Sequence, residues 1–447
     1  MMLRNRVRLA TLFLLAAWLA TAASADGASR YELDYRIELV PKKNHAEVTV
    51  ALGDNADLVR EIRFRIEPAR HSGFEGDGQI EVDERYVHWT PPPKGGRLRF
   101  TATIDHRRGQ RSFDALMTDE WGIFRGDDLV PPARVRTAAG AEARSRLKLT
   151  APRGWGVVTP YPEAGDGWLR VEHDDRRFDR PTGWMAAGKL GVRREHIRGV
   201  QVAVAGPVGH GVRRLDTLAF LNWNLPELLR VFDEFHDTFI VVSAGDPMWR
   251  GGLSGPASIY LHADRPLISE NGTSTLMHEL VHAAMGIAAE SGSDWIVEGL
   301  AEFYTLELMR RSGTITRKRY DRGYEQLREW SGEVLDLKAE HSKGATTARA
   351  VLIMRALDDE IRQATEDDAS LDDVARTLAE RGKRMDLEAL RKIAADVMGR
   401  PAEALSDERL RAAPDTSALG RPGKARQYGP AISADFDYEC PNARLRG

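Results

Sequence analysis

At 447 residues the chain exceeds the size of one ordinary hydrophobic core, so two or three domains are expected. A hydrophobic fraction of 42% beside 29% charged residues is that of a folded globular protein and excludes a disordered or fibrous one. The formal net charge is -3 and the arginines are scattered (Arg60 to Arg65, Arg107 to Arg111, Arg193 to Arg198), which excludes nucleic acid as the main partner.

The N-terminus has the form of an export signal. Arg4, Arg6 and Arg8 make a basic start, Leu9 to Ala20 is apolar, and Ala23-Ser24-Ala25 is a small-residue cleavage site. The apolar stretch is short for a membrane span, so residues 1–25 are expected to be removed before Asp26, leaving an exported, periplasmic or secreted protein with no later span. Cys440 is the only cysteine. No internal disulfide is possible, and any metal site must be built from histidine and carboxylate.

From about residue 26 to 206 the pattern is that of strands. Tyr31 to Val40, His45 to Leu52, Val59 to Ile66, Ile80 to Trp89 and Leu98 to Ile104 are β-rich or alternate, and turn residues such as Gly53-Asp54-Asn55 and Pro91-Pro92-Pro93 separate them. Arg146 to Thr150, Trp168 to Glu172 and Val200 to Ala205 follow, while Asp105 to Ala143 has no readable period. An antiparallel β domain resembling a sandwich is expected here.

The character changes near Arg214. Leu215 to His236 has helical spacing interrupted by Pro226, and Thr238 to Ser243 and Ala257 to His262 are short strands. Helices are then predicted at Thr273 to Ala289, Asp294 to Arg311, Lys318 to Trp330, Ala345 to Ala364, Leu371 to Arg381 and Leu387 to Val397. Asp294 is the expected N-cap of the second of these. The fold class is therefore α+β. It comprises the β domain (26–206), an α/β domain (207–312), a helical domain (313–412) and an extended tail (413–447).

Within the first of those helices lies His278-Glu279-Leu280-Val281-His282. Residues four apart on a helix are separated by about 40° around the axis, so both histidines can point at one ion. Glu279 then lies beside that ion, where a base for activated water is needed. Two histidines on an otherwise apolar face, with Leu276, Leu280 and Met285, are costly to bury without a partner, and a cation supplies one. Glu298 and Glu302 share a face of the next helix. Glu298 is expected as the third ligand, because Gly299 permits a close helix contact. Glu302 is expected behind it, holding a ligand histidine through its other ring nitrogen. Three protein ligands leave a fourth position open, which marks a catalytic site for one Zn2+ ion.

These segments resemble the gluzincins, the thermolysin-like enzymes and aminopeptidases. The stretch Trp295-Ile296-Val297-Glu298-Gly299-Leu300-Ala301 is similar to the family's second motif. The β domain, Gly251-Gly252-Leu253, and Ser342-Lys343-Gly344-Ala345 are similar to the glycyl aminopeptidase branch, without its C-terminal PDZ domain. The resemblance implies a thermolysin-like zinc domain that hydrolyses peptides, with Glu279 as proton carrier and Gly252, Leu253 and Ser254 along the substrate. It also has departures. Ser254 and Gly255 stand where the branch has Glu-His, so the carboxylate that grips a free amine is missing. His341 stands where the branch has a tyrosine that stabilises the oxyanion, and histidine can donate that hydrogen bond. Tyr304, Tyr320 and Tyr324 are alternative donors. Ala257 to Tyr260 is expected to form an edge strand that pairs with an extended peptide.

The expectation is an exported zinc metallopeptidase acting on peptides or proteins, with aminopeptidase and endopeptidase modes both open. The rival is a non-catalytic peptide-binding protein that keeps the fold and metal. Zinc storage is weaker still, since one three-ligand site stores little.

Overall fold

The computed structural model describes residues 29–411, except 139, 172–177, 333, 335–336 and 382–383. The expected signal segment, the expected tail from 413 and Cys440 lie outside the described residues. No helix among the described residues is long and apolar enough to cross a membrane.

The N-terminal part is built on a 7-stranded and a 4-stranded sheet. Arg30–Val40 alternates buried and exposed side chains along its length, as a strand with one face on a core must. Tyr31, Tyr35, Val48, Phe64, Trp89 and Leu98 from both sheets meet in one apolar cluster. The pairing is antiparallel with one exception: Arg30–Val40 runs parallel to Glu142–Thr150. The strand expected over Ile80 to Trp89 is a hairpin, Gln79–Val82 and Tyr86–Thr90, because Asp83 turns the chain and accepts the amides of Arg85 and Tyr86.

The stretch with no readable period forms most of a third sheet. Phe113–Met117 and Trp121–Arg125 pair there, and Trp184–Gly188 joins them. This sheet is buried on both faces. Phe124, Met185 and Ala187 enter the sandwich core, while Ile123, Trp184 and Ala186 pack on Ala203, Ala205, Ile240, Val242 and Tyr260. Burial on both faces removes the polar alternation by which a strand is recognised in sequence.

The sheet that carries the site has the order Leu190–Ile197, Val200–Pro207, Thr238–Ala244, Ser258–His262, Gly252–Gly255. Its first two strands span Leu190–Ile197 and Val200–Pro207, so the sheet begins upstream of the boundary expected from the sequence. Helix Arg214–Val231 crosses between two parallel strands. The edge is Gly252–Gly255, whereas Ser258–His262 is interior. That corrects the expectation of an edge at Ala257 to Tyr260: the short glycine-rich strand has too little side chain to be read as one. Helices Thr275–Met285, Asp294–Arg311, Arg317–Ser331, Ala345–Ala364, Leu371–Arg381 and Leu387–Met398 share one large core with the apolar underside of this sheet.

Candidate metal centre

The helix Thr275–Met285 is set by its caps. Ser274 accepts the amide of Met277 at 3.3 Å, and Gly286 ends the helix in a left-handed conformation with φ 59°. It stops four residues short of the expected end at Ala289; Ala288–Ala289 instead pairs with Arg384–Met385. Leu276, Leu280 and Met285 are buried as expected, and Met277 and Val281 are buried with them.

Helix Asp294–Arg311 packs against the first helix and against Ala345–Ala364. A Cβ on Gly299 would stand 2.7 Å from the Cβ of Ala350, so the close approach exists only because position 299 lacks a side chain. Glu298, one residue earlier, is brought to the two histidines. Ser293, not Asp294, occupies the cap position. Asp294 is the first helical residue, and its carboxylate accepts the amide of Ser342 at 2.6 Å.

The structure brings His278, His282 and Glu298 together, all buried, with one ligand atom of each within 4.8 Å of the others. The two Nε2 atoms are 3.0 Å apart, and Glu298 places one oxygen 3.2 Å from His278 Nε2 and the other 3.3 Å from His282 Nε2. Nitrogen and oxygen ligands about 2.0–2.1 Å from a tetrahedral zinc stand roughly 3.3 Å from one another. The observed separations match that, so these residues fit a zinc ion. Glu302 Oε2 lies 2.9 Å from His278 Nδ1. A carboxylate there keeps the proton on Nδ1 and leaves the Nε2 lone pair for a metal.

The electrostatics agree with a site built for positive charge. Burial disfavours a charged His278, yet Glu298 and Glu302 overcome it and hold its pKa well above the usual value. Burial likewise works against an ionised Glu298, but His282 and His278 hold it well below the carboxylate range.

Glu279 is 2% exposed, and its Oε1 has no hydrogen-bond partner among the described residues. A buried carboxylate oxygen left so is costly, and such groups mark chemistry more often than packing. The edge strand runs directly beside it. A Cβ on Gly252 would lie 3.0 Å from Glu279 Cγ and 2.6 Å from Thr275 Cγ2. Leu253 packs with Tyr260 and Trp184 between the sheets, and Ser254 is buried opposite Ile259. Gly255 abuts the β domain, where Trp184 Cδ1 would be 3.3 Å from its Cβ. This β-domain wall, with Arg125 stacked on Trp184 at 5.4 Å, was not identified from the sequence. Its only signal there was the tryptophan itself.

His341 is exposed, in the loop before Ala345–Ala364, close enough to Asp294 to act on its charge. Of the alternative tyrosines, two have their hydroxyls bound and the third, Tyr324, has a buried hydroxyl with no hydrogen-bond partner among the described residues. Tyr304 donates to Asp372 and Tyr320 to Glu307, while Tyr324 packs on Tyr320 at 4.9 Å between ring centroids. Asp294 itself was missed as more than a cap. Its four-residue spacing from Glu298, which places both on one helix face, was the available signal.

No protein-family model and no curated protein matches the chain. Solved structures do. An aminopeptidase N family protein from Idiomarina loihiensis aligns with TM-score 0.58 at 15% identity, over 83% of this chain and 72% of that one. An M1 zinc metallopeptidase from Deinococcus radiodurans aligns with TM-score 0.55 at 16% identity, over 88% and 95%. A variant of the latter bound to a Tyr-Ser-Ala substrate gives 0.54 at 17% identity, over 86% and 93%. At such identities the likeness establishes the fold, and that fold is the multidomain architecture of aminopeptidase N-like zinc metallopeptidases.

Proposed function

We propose that the protein is a zinc metallopeptidase of the gluzincin type, exported from the cell, with His278, His282 and Glu298 as metal ligands. The observation that carries this reading is the unpartnered Glu279 Oε1 beside three converging ligand atoms. A zinc ion held there would polarise water and the carbonyl of the bond to be cut. Glu279 takes the proton from the attacking water on its free oxygen and hands it to the leaving amine. Glu302 fixes the tautomer of His278 throughout. The strand Gly252–Gly255 is the edge of its sheet, with no strand beyond it among the described residues, so an extended peptide can lie along it as a further strand. His341, from the loop before Ala345–Ala364, is the residue we assign to donate to the oxygen that becomes negative as the carbonyl is attacked. The Tyr-Ser-Ala peptide bound by the Deinococcus radiodurans relative supports peptides as the substrate class.

Ser254 and Gly255 offer no carboxylate to a free amine, which favours internal cleavage over trimming from the N-terminus. The same feature suits a peptide-binding protein without catalysis, but such a protein has no use for the buried base Glu279. Glu279→Gln should keep stoichiometric zinc and lose hydrolysis of a peptide library, whereas His282→Ala should lose both. Undiminished hydrolysis by purified Glu279→Gln protein would end this reading.

A further inference from the structure

The loop between Arg317–Ser331 and Ala345–Ala364 is tied to the helix that carries Glu298 through Asp294. Its carboxylate accepts the Ser342 amide at 2.6 Å. Ser342 is fully buried, whereas His341 and Lys343 on either side are exposed. The loop is thus pinned near its C-terminal end, at Ser342, with the residues on either side exposed. Asp294 is four residues before Glu298, so the pin and the third ligand share one helix face. Burial and the charge of Glu298 push the Asp294 carboxyl up; the Ser342 amide, His341 and His282 pull the other way. One side chain therefore feels a metal ligand on each helix and the loop histidine together. A half-buried acid beside another acid is a poor choice for a simple helix start, where an exposed aspartate does as well.

We propose that Asp294 is a positioning residue that holds His341 at the metal centre by clamping the Ser342 amide. This rests on the peptidase reading above and on His341 as the oxyanion donor. The hydrogen bond fixes the backbone one residue from His341. Loss of the clamp leaves the ligands in place and lets the donor drift. Such a loss affects the transition state more than substrate binding.

The test uses the zinc-loaded protein, an internally quenched peptide drawn from a digested library, and the variants D294A, D294N, H341A and D294A/H341A. In D294A, Ser342 amide exchange should accelerate about tenfold or more, while zinc content stays stoichiometric. Its kcat should fall by about 10–100-fold with KM little changed. D294N keeps an acceptor oxygen and should restore slow exchange and much of kcat. In the H341A background, D294A should add almost nothing, because the two act through one contact. Fully additive losses, or unchanged Ser342 exchange in D294A, would overturn the proposal. If H341A alone leaves kcat intact, the oxyanion role fails instead. If Glu279→Gln remains active, it is the peptidase mechanism that fails. Each result thus refutes a different statement.

Discussion

Gly252→Ala is the substitution that most directly couples the fold to the chemistry. The new methyl would sit 2.6 Å from Thr275 Cγ2 and 3.0 Å from Glu279 Cγ. Carbon atoms in contact rest at about 3.5–4.0 Å, so both groups must retreat by roughly 0.5–1 Å. Thr275 begins the motif helix, and Glu279 is the proposed base one turn later. Overpacking of this kind costs about 1–3 kcal/mol of stability. A base misplaced by about 1 Å costs on the order of 10²-fold in rate. The ligand atoms are not touched, so zinc content should be unchanged. The assay is kcat for an internally quenched peptide, with zinc analysis and thermal unfolding of the same preparations. Thr275→Ser in the Gly252→Ala background deletes the nearer clashing methyl; it should recover part of the stability and little of the rate. A Gly252→Ala protein with normal rate and stability would refute the argument that strand and base are in enforced contact.

Two other predictions concern the helix that carries Glu298. Glu302→Ala removes the carboxylate on His278 Nδ1 and should weaken zinc affinity by about 10–100-fold, read by chelator competition; unchanged affinity would deny Glu302 its orienting role. Glu307 is buried between Arg310, Arg311 and Tyr320. Burial raises its pKa, but the two guanidiniums prevail and lower it from 4.5 to about 2. A folded-state pKa below the unfolded one stabilises the protein above pH 4.5, and that contribution is lost as pH falls towards 2. It amounts to about 3 kcal/mol at neutral pH. Glu307→Gln should therefore flatten the acid side of the stability profile in urea titrations between those two pH values. An unaltered profile would show that the pair contributes nothing net.

The site was legible because its chemistry is local. His278, Glu279 and His282 lie within one helical turn and a half, so spacing alone places the histidines together and the glutamate beside them. Glu298 needed the second motif, and Gly299 needed the idea of close helix contact, which Ala350 provides. The segment from 105 to 143 was not legible. Its central strands, Phe113–Met117 and Trp121–Arg125, are covered on both faces, one by the sandwich core and the other by the sheet of residues 190–262, and so carry no alternation to read. The edge strand was displaced for a related reason: Gly252–Gly255 has almost no side-chain pattern, and its place follows only from pairing with Ser258–His262.

By itself the sequence determined what depends on neighbours along the chain: the pair of histidines on one helical face, the glutamate between them and the alternating strands of the β domain. Tertiary structure decided what depends on distant segments meeting. It set the 3.0–3.3 Å separations that make three side chains a zinc-sized nest. It also set the contact of Gly252 with Glu279, and the bond from Asp294 to Ser342 across 48 residues of chain. The physical reason is that helical and strand periods are local geometry, whereas close packing and the partner of a buried polar atom are fixed only when remote surfaces are brought together.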